Sequence, residues 1–479
     1  MNDQKHVVVI GAGPAGMTAA YELSKTPGIE ITLLEAGNRV GGLSKTVELW
    51  GQLVDIGPHR FFSKDRRVNE LWLEVVGKNY QMIDRQTRIL YKSKFYDYPL
   101  RPLNALFNLG PIVAIRCVAS YLWRKISPLK DDGSLEIWVR NRFGDLLFNI
   151  FFKTYTEKVW GIPTSEIDSE WAAQRIKKLS LMEAIKNALF DKITSARHAT
   201  LVDKFAYPNL GTGYVYDQMA KIFVGKGGKL FTDEKVIKIQ RNRDKWIVFT
   251  EDKEITCDEI ISTMPLTLLT QALLLDDKSN DERVLSAVNS LRFRNTTLVY
   301  LEVNSSNLFP DQWLYIHSPE LKFGRVTNFR NWSTELYKDK NSSILTMEYW
   351  SFDGDEFEAM TDDAIAELAK KEMCATGLVQ QEDILNSKVF RIKRSYPVYD
   401  KGYTKHLDVI QTYIDSKPNL QVIGRYGSFK YNNQDHSILM GLFAAQNIAN
   451  GADHNLWEVN TDYDYQESAI IGKDGLEST

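Results

Sequence analysis

Three glycines near the start of the chain have the spacing of a phosphate-binding loop. Gly11, Gly13 and Gly16 form a G-x-G-x-x-G motif between residues 7–10, which are typical of a buried parallel strand, and the predicted helix 17–24. In such a loop the first glycine permits a tight turn, the second lets the backbone approach a pyrophosphate, and the third lets helix and strand pack closely. The helix N-terminus then binds the pyrophosphate through its N–H groups. The sequence therefore predicts a dinucleotide-binding strand–loop–helix unit.

An acidic residue follows this loop at the distance expected for a ribose ligand. Glu35 comes after a second predicted strand, residues 29–34, and lies nineteen residues beyond the last motif glycine. A carboxylate at that place can accept hydrogen bonds from ribose hydroxyls, whereas a glycine-rich turn without a ligand would not need this order of elements. Arg39, Gly41 and Gly42 follow the acid and resemble the second signature of FAD enzymes in the amine oxidase and protoporphyrinogen oxidase superfamily. This resemblance implies FAD as the cofactor.

Composition and charge exclude several classes of protein. The 479 residues suit two or three lobes, and 43% hydrophobic and 25% charged residues are ordinary for a globular enzyme. A formal net charge of −3 does not support a nucleic-acid partner. Cys117, Cys257 and Cys374 fit neither a metal-binding spacing nor a disulfide framework, so we expect no metal and a reducing, cytoplasmic compartment. Because the first predicted strand begins almost at the start of the sequence, we expect no signal peptide.

Residues 103–123 are about as long as a membrane span. Pro111, Arg116 and two asparagines interrupt the segment, which makes spanning costly. Two interpretations remain: a buried helical pair, which we favour, and a patch that contacts the membrane surface without crossing it. We therefore expect a cytoplasmic protein, with peripheral membrane contact through this segment as the alternative.

A Gly-Pro turn precedes the first histidine of functional interest. Gly57 and Pro58 predict a sharp turn, His59 follows, and Phe61 with Phe62 can form a wall beside a planar ring. A histidine here is either a satisfied core residue or a functional group next to the cofactor loop. Its place beside that loop favours the functional interpretation.

A second set of residues suits a phosphorylated, planar ligand. Residues 155–161 read Tyr-Thr-Glu-Lys-Val-Trp-Gly, and Arg175 follows in a further helical stretch. Tyr, Lys, Trp and Arg side chains together can stack on a planar ring and neutralise phosphate. A capped helix with a solvated basic face explains the same residues equally well. Arg325, among apolar neighbours, is either a ligand-binding residue or the partner of a buried acid.

The order of predicted elements indicates a nucleotide-binding domain that the chain leaves and re-enters. Residues 1–85, 206–290 and 415–455 are predicted to form this domain, an α/β, Rossmann-like FAD-binding fold of the GR2 flavoprotein type. The excursions predict a mainly helical substrate domain, residues 86–205, and a mixed β-sheet substrate domain, residues 291–414. Residues 456–479 are a C-terminal tail, which we expect to be disordered after Tyr465.

Several motifs together resemble the UDP-galactopyranose mutase-like branch of that superfamily over almost the whole chain. They are Gly57-Pro58-His59 with Phe61, residues 155–161, Tyr396-Pro397-Val398, and Gly424-Arg425 through Tyr431. The stretch 155–161 is the most specific of them. The chain departs from the mutase pattern at Leu179, where mutases have a second arginine, and at Asn433-Gln434, where they have Asp-Met.

The resemblance implies roles for individual residues, with His59 and Arg325 in catalysis. The flavin would be bound by Gly11, Gly13, Ala15, Gly16, Glu35, Ala36, Arg39, Gly41, Gly42, Leu43, Gly57, Pro58, His59, Val236, Gly424, Arg425, Asn433 and Gln434. The small-molecule substrate would be bound by Tyr155, Trp160, Arg175, Tyr207, Arg325, Tyr396 and Tyr431.

The resemblance further implies pyranose–furanose isomerisation of a nucleotide-activated sugar or related glycan precursor. N5 of a reduced flavin is the nucleophile in that chemistry, which agrees with the lack of a Ser-His-Asp or Cys-His signature in the sequence. Two alternatives stay open: a net oxidoreductase of the protoporphyrinogen oxidase or amine oxidase kind, and a non-catalytic lipid-binding protein similar to Rab-GDI. The intact glycine loop and Glu35 argue against the last class, because a fold that has lost FAD need not keep them.

Overall fold

The computed structural model describes residues 4–98, 100, 102–169, 204–275, 281–459 and 470–477. The chain forms two compact units. Unit 1 comprises Met1–Ile83, Phe205–Arg292 and Tyr403–Thr479, and unit 2 comprises Asp84–Lys204 and Phe293–Gly402. The segments predicted as helical and mixed-sheet substrate domains therefore fall mainly within unit 2.

The described strands, in chain order, are β1 (Lys5–Ile10), β2 (Ile29–Leu34), β3 (Thr46–Leu49), β4 (Gln52–Asp55), β5 (Tyr80–Asp84), β6 (Thr87–Tyr91), β7 (Lys94–Asp97), β8 (Lys204–Pro208), β9 (Lys229–Phe231), β10 (Lys238–Asn242), β11 (Lys245–Phe249), β12 (Glu254–Cys257), β13 (Glu259–Ser262), β14 (Phe293–Val303), β15 (Trp313–Ile316), β16 (Arg325–Asn328), β17 (Ser343–Ser351), β18 (Ile384–Pro397), β19 (Leu420–Val422), β20 (Ile470–Gly472) and β21 (Gly475–Glu477).

The described α-helices, in chain order, are α1 (Pro14–Leu23), α2 (Arg66–Val76), α3 (Pro102–Leu109), α4 (Pro111–Ile126), α5 (Leu135–Phe143), α6 (Asp145–Leu147), α7 (Thr154–Trp160), α8 (Gly213–Gly225), α9 (Leu266–Leu274), α10 (Glu282–Ser290), α11 (Thr334–Tyr337), α12 (Glu356–Ala359), α13 (Asp362–Ala375), α14 (Tyr403–Asp415), α15 (Gly424–Gly427) and α16 (Gln434–Asn450). None of them is long and apolar enough to cross a bilayer.

Unit 1 is built on a parallel sheet with the strand order β19-β13-β1-β2-β9. β1 lies in its centre, with Val7 opposite Ile31 of β2 on one side and Glu259 of β13 on the other. Residues 7–10 are buried, as expected for a parallel strand whose sheet is covered by helices. α1 connects β1 to β2 and packs against α8 and α16. The predicted Rossmann-like α/β fold is confirmed.

Two local expectations for unit 1 are wrong. The strand expected at residues 235–239 begins only at Lys238, in the antiparallel sheet β10-β11-β12. The tail expected to be disordered contains the hairpin β20-β21, in which Ile470 pairs with Glu477. Two contacts anchor this hairpin: Ile471 is buried in the core of unit 1, and the Tyr80 hydroxyl donates to the Gly472 carbonyl at 2.9 Å.

Unit 2 is built on a mixed sheet with the strand order β18-β14-β17-β16-β15-β6-β7. Neighbouring strands are antiparallel except for β15 and β6, which are parallel. Side chains alternate between the two faces of such a sheet. On one face, Val326 and Met347 pack with Ile365 and Met373 of α13 in an apolar core. The opposite face carries the side chains of functional interest.

Candidate functional site

Two of the three motif glycines are required by the protein's own packing. Gly11 has a φ of +93°, and a Cβ there would lie 2.1 Å from Thr263 Oγ1. A Cβ on Gly16 would lie 1.9 Å from the carbonyl oxygen of Gly11. Neither distance leaves room for a methyl group, so these glycines allow the tight turn and the close helix–strand packing that the motif predicts.

Gly13 differs from the other two motif glycines. A Cβ on Gly13 would meet only the Gly42 Cα, at an ordinary contact distance of 3.7 Å, and its φ of −72° suits any residue. The described protein therefore does not need a glycine here. α1 begins at Pro14, and among the described side chains none caps it and no acid lies in its first turn. The loop fits a pyrophosphate, which would use the space beside Gly13 and the N–H groups of the helix.

Glu35 links the two loops at the carboxyl ends of β1 and β2. Its Oε2 accepts a hydrogen bond from Ala12 N at 2.8 Å, and its Oε1 accepts one from Gly37 N at 2.9 Å. The Gly41 N–H donates to the Ala12 carbonyl at 2.8 Å, which holds the second loop against the first. Each carboxylate oxygen has a second lone pair, so Glu35 can still accept from ribose hydroxyls. The second loop also contains Ala36, Gly42 and Leu43.

Two further residues predicted for the cofactor lie near this loop. Glu234 donates its N–H to the Glu35 carbonyl at 2.9 Å, and Val236 follows two residues later. Arg39 forms an ion pair with Asp217 of α8 at 2.5 Å. Val236 is thus placed near the acid by backbone pairing, and Arg39 is engaged with the protein itself.

A buried carboxylate that the sequence analysis missed organises the turn at His59. Asp55 is fully buried and accepts hydrogen bonds from Thr46 Oγ1, Tyr207 OH and Thr212 N, at 2.5, 2.7 and 3.1 Å. Burial raises the pKa of Asp55 to about 6. Thr212 Oγ1 donates to the carbonyl of His59 at 2.8 Å. The Gly57-Pro58-His59 turn is therefore tied to the start of α8 through this network.

Tyr207, predicted for the substrate, occupies a structural position. Its ring is fully buried, and its hydroxyl donates to Asp55. Burial and the neighbouring carboxylate raise the pKa of Tyr207 well above its ordinary value, so the hydroxyl keeps its proton. A side chain with no exposed surface and an engaged hydroxyl does not suit a substrate ligand.

The turn before α16 is ordered by hydrogen bonds within unit 1. Asn433 and His436 form a reciprocal cap, in which His436 Nδ1 accepts from Asn433 N at 3.2 Å. Gln434 Oε1 accepts from Tyr216 OH at 2.8 Å, and its Nε2 donates to the His59 carbonyl at 3.3 Å. Asn433 and Gln434, both predicted along the flavin, thus hold the helix start and the His59 turn in place.

Arg425 and Tyr431 lie beside each other at the end of β19. The Arg425 guanidinium lies over the Tyr431 ring at 4.1 Å, and its Nη1 donates to the Asn432 carbonyl at 3.2 Å. A Cβ on Gly424 would lie 3.1 Å from the Ala15 Cβ, so this turn approaches α1 closely. Ligands of open α/β sheets bind at the carboxyl ends of the strands, and these residues belong to that end.

Unit 2 places Arg325 in a row of side chains across three strands. The register sets Tyr315, Arg325 and Glu348 opposite one another on β15, β16 and β17. Arg325 donates Nε to Oε1 and Nη2 to Oε2 of Glu348, both at 2.5 Å. The buried acid that the sequence left open as an alternative is therefore present. It fixes the plane of the guanidinium, as a bidentate pair does.

The charge of Arg325 is stabilised where it lies. Burial disfavours the charge, but the Glu348 carboxylate, with Tyr396 and Tyr155, outweighs burial and holds the pKa of Arg325 well above its ordinary value. Its Nη1 makes no hydrogen bond with any described residue. Arg325 is thus an oriented cation with one donor group to spare.

Aromatic rings surround Tyr155. Its ring stacks on His317, with 4.9 Å between centroids and 8° between planes, and meets Tyr315 and Trp350 edge-on at 5.5 and 6.5 Å. Burial raises the pKa of Tyr155 well above its ordinary value, so its hydroxyl is a neutral donor. That hydroxyl has no hydrogen-bond partner among the described residues. Burial, with Lys158 nearby, lowers the pKa of His317 to about 3, so the stacked imidazole is neutral.

Two tryptophans complete the group. Trp350 meets Tyr396 edge-on at 6.2 Å, and its Nε1 is buried with no hydrogen-bond partner in the described chain. Trp160 is 4% exposed and packs against Tyr396 at 6.2 Å and Tyr399 at 5.8 Å. A Cβ on Gly324 would lie 2.3 Å from the Trp350 ring, so this glycine makes room for it. The aromatic–arginine cluster is defined as Tyr155, Trp160, Arg325, Trp350 and Tyr396.

Other residues of the 155–161 motif build the fold. Lys158 Nζ donates to the carbonyls of Ser318 and Ile316 at 2.7 and 3.1 Å, and burial lowers the pKa of Lys158 to about 8. Gly161 ends α7 with a φ of +68°, and a Cβ there would collide with the Arg294 guanidinium at 2.1 Å. The solvated basic face considered from the sequence therefore does not describe Lys158.

The predicted residues fall into two groups, one in each unit. Arg175 and Leu179 lie outside the described residues. The sequence analysis missed Trp350 of the cluster and Glu348, the acid that pairs with Arg325. The two-residue period of β17 places both on one face of the sheet. In the described ranges, no group of three His, Cys, Asp or Glu side chains could hold a metal ion.

A known protein family matches most of this chain. The family described as flavin containing amine oxidoreductase matches residues 14–449. The coproporphyrinogen III oxidase of Staphylococcus aureus is 20% identical over 93% of this chain and 99% of its own length.

Solved structures agree in fold. Reduced UDP-galactopyranose mutase superposes with a TM-score of 0.84 at 21% identity, over 95% of this chain and 96% of that one. Cyclohexylamine oxidase from Brevibacterium oxydans IH-35A superposes with a TM-score of 0.67 at 14% identity, over 94% and 99% of the two chains. The predicted superfamily is confirmed, and a flavin cofactor is implied by it. The chain belongs to the flavin containing amine oxidoreductase family.

Proposed function

We propose that this protein is an FAD-dependent enzyme that isomerises a nucleotide-activated sugar, or a related glycan precursor, without net oxidation. The observation that carries the proposal is the supply of donors in the aromatic–arginine cluster. Arg325 Nη1 and the Tyr155 hydroxyl have no acceptor among the described residues. Glu348 is the carboxylate beside them, and each of its two oxygens accepts a hydrogen bond from Arg325. This set suits a ligand rich in acceptor oxygens, as a diphosphate is.

The rings of the cluster support a planar group next to the phosphates. Tyr155 and Tyr396 are half-buried, so parts of their rings can contact a ligand. Trp160 is 4% exposed, which leaves little of its indole for stacking. We therefore propose that the two tyrosines bind the base of the nucleotide. Trp160 packs against Tyr396 and would hold its ring in position.

FAD is the proposed cofactor, and unit 1 supports it. The space beside Gly13 fits the pyrophosphate, and Glu35 would accept from the ribose. When bound and reduced, the flavin supplies a nucleophilic ring nitrogen, so the chain needs no nucleophile of its own. The protein's contribution is positional: Thr212 and Gln434 hold the carbonyl of His59 and so fix the turn that carries its ring.

One observation favours a second candidate, a net oxidoreductase acting on a tetrapyrrole precursor. The coproporphyrinogen III oxidase of Staphylococcus aureus aligns over nearly its full length. The donors of the aromatic–arginine cluster could equally donate hydrogen bonds to the carboxylates of such a substrate. The two candidates differ in whether electrons leave the flavin during turnover.

Anaerobic turnover separates them. The enzyme is reduced with a small amount of dithionite and incubated with a panel of nucleotide sugars, and the sugar products are resolved by chromatography. Isomerisation predicts product far in excess of both flavin and reductant, because each turnover returns the flavin reduced.

Other results would contradict the isomerase proposal. No conversion of any sugar, or turnover that depends on an added electron acceptor, would refute the isomerase proposal. Incubation of the oxidised enzyme with coproporphyrinogen III in air, followed by porphyrin fluorescence, tests the second candidate directly. Porphyrin formed well above the rate without enzyme would establish the oxidoreductase.

A further inference from the structure

The helix α4 exposes large apolar side chains along its length. Ile112, Ile115, Trp123 and Ile126 are 74%, 69%, 59% and 78% exposed, and Leu122 is also exposed. At 3.6 residues per turn these positions share one face. Phe107 on α3, a few residues earlier in the chain, adds another ring that is 83% exposed. Contiguous exposed apolar surface of this kind marks an interaction site.

The opposite face of α4 is the one packed against the protein. Its buried residues are Ala114, Cys117 and Tyr121, two of them small. The helix thus buries its smaller side chains and exposes its larger apolar ones, the reverse of an ordinary surface helix. The sequence favoured a buried helical pair. That prediction is wrong for the outward face of α4, which is exposed.

The segment that carries this face contains basic residues and no acidic ones. Between Asp97 and Asp131 the sequence contains no Asp or Glu, although the whole chain has a net charge of −3. Arg116 and Lys125 are exposed. The helical period places Arg116 at one edge of the apolar stripe and Lys125 between the other edge and the packed side, where its Nζ lies over the Tyr121 ring at 5.4 Å. Arg124, by contrast, is paired with Asp145 at 2.8 Å and belongs to the packed side.

We propose that α4, with Phe107, docks this protein on the surface of an anionic lipid bilayer. The helix would lie in the plane of the interface, its isoleucines and Trp123 in the acyl boundary and its two exposed cations at the headgroups. Its 16 residues span about 24 Å, too short to cross. This surface is independent of the proposed catalytic function.

The charges decide between a membrane and a second copy of the chain. In a symmetric dimer through this face, the Arg116 and Lys125 side chains of two copies would approach each other. Residues 98–130 offer no carboxylate to neutralise them, and like charges in contact are unfavourable. An anionic bilayer supplies both the apolar layer and the missing negative charge.

Vesicle flotation tests the proposal with the full-length protein. Vesicles of phosphatidylcholine with one quarter phosphatidylglycerol should carry the protein upward, and vesicles of phosphatidylcholine alone should carry much less. Ile115→Glu with Trp123→Glu should reduce binding at least about tenfold, because two inserted side chains become charged. Arg116→Gln with Lys125→Gln should reduce it by about fivefold for each cation removed. Leu385→Glu, at a residue 51% exposed on β18, is the matched control and should bind normally.

Several results would overturn the proposal. Wild-type protein that stays with the aqueous fraction at low salt would do so, as would equal loss of binding in the Leu385 control. A concentration-dependent dimer in sedimentation that the Ile115/Trp123 variant abolishes, without vesicle binding, would assign the face to self-association instead. Should that variant fail to fold, Arg116→Gln alone keeps the test, because Arg116 is exposed and lies on the side of α4 away from Ala114, Cys117 and Tyr121.

Discussion

Replacing Gly13 by alanine should remove the flavin without weakening the fold. The added Cβ has only the Gly42 Cα nearby, at 3.7 Å, and the φ of −72° is allowed for alanine. Lower chain entropy in the unfolded state favours alanine by about 0.4–1 kcal/mol, while its poorer fit at a helix N-cap costs a similar amount. The free energy of unfolding of the flavin-free protein should therefore change by less than about 1 kcal/mol.

The effect on flavin binding should be much larger. The methyl group would occupy the space that the pyrophosphate needs in order to reach the N–H groups of α1. Losing two hydrogen bonds to a charged group, at about 1.5 kcal/mol each, costs about 3 kcal/mol. This corresponds to an increase of about a hundredfold in the Kd for FAD.

Gly16→Ala is the matched control within the same motif. Its Cβ would lie 1.9 Å from the Gly11 carbonyl oxygen, part of the backbone that cannot move aside cheaply. Overpacking there should cost about 3 kcal/mol or more. The assay combines urea unfolding of the flavin-free proteins with FAD titration followed by absorbance. Gly13→Ala protein that keeps full flavin occupancy, or that unfolds as easily as Gly16→Ala, would refute the assignment of this loop.

Three further outcomes follow from the site. Arg325→Lys keeps the charge but loses the bidentate pair with Glu348, so the Kd for UDP in calorimetry should rise at least about tenfold; an unchanged Kd contradicts the proposed diphosphate contact. Trp160→Ala should lower the unfolding free energy by about 3–5 kcal/mol, because this indole is buried, and Trp160→Phe should keep most of both stability and substrate affinity. Burial raises the pKa of Asp55 from 3.8 to about 6, so the folded state holds an extra proton between these values and loses stability as pH rises through 6. Relative to Asp55→Asn, the unfolding free energy of the wild type should fall by about 2 kcal/mol between pH 4 and pH 7, and a flat difference would mean that Asp55 titrates normally.

Much of unit 1 could be predicted from the sequence because its signals are local. The roles of Gly11 and Gly16 follow from backbone sterics within a few residues, and the structure gives both the expected contacts. The strand Ile29–Leu34 has the predicted bounds, since the hydrophobic pattern of a strand is read over one element. The hairpin at residues 470–477 was missed because contacts with Tyr80, remote in sequence, order it.

Only part of the candidate substrate site could be predicted from the sequence. Residues 155–161 pointed to Tyr155 and Trp160. The motif did not distinguish these from Lys158, whose ammonium group donates to backbone carbonyls. The partner of Arg325 could not be named, because Glu348 lies opposite it only through the register of two antiparallel strands. Register depends on the packing of a whole sheet and has no local signature.

The sequence by itself determined the family, the dinucleotide loop and the place of the acid, because each depends on residue type at short, fixed spacing. The tertiary structure alone decided which side chains are engaged: Tyr207 is held by Asp55, whereas Arg325 keeps a donor to spare beside Tyr155. It also decided that α4 presents Ile115 and its neighbours outward. An amphipathic period shows which residues share one face of a helix. Only the packing of the remaining chain determines which face is covered.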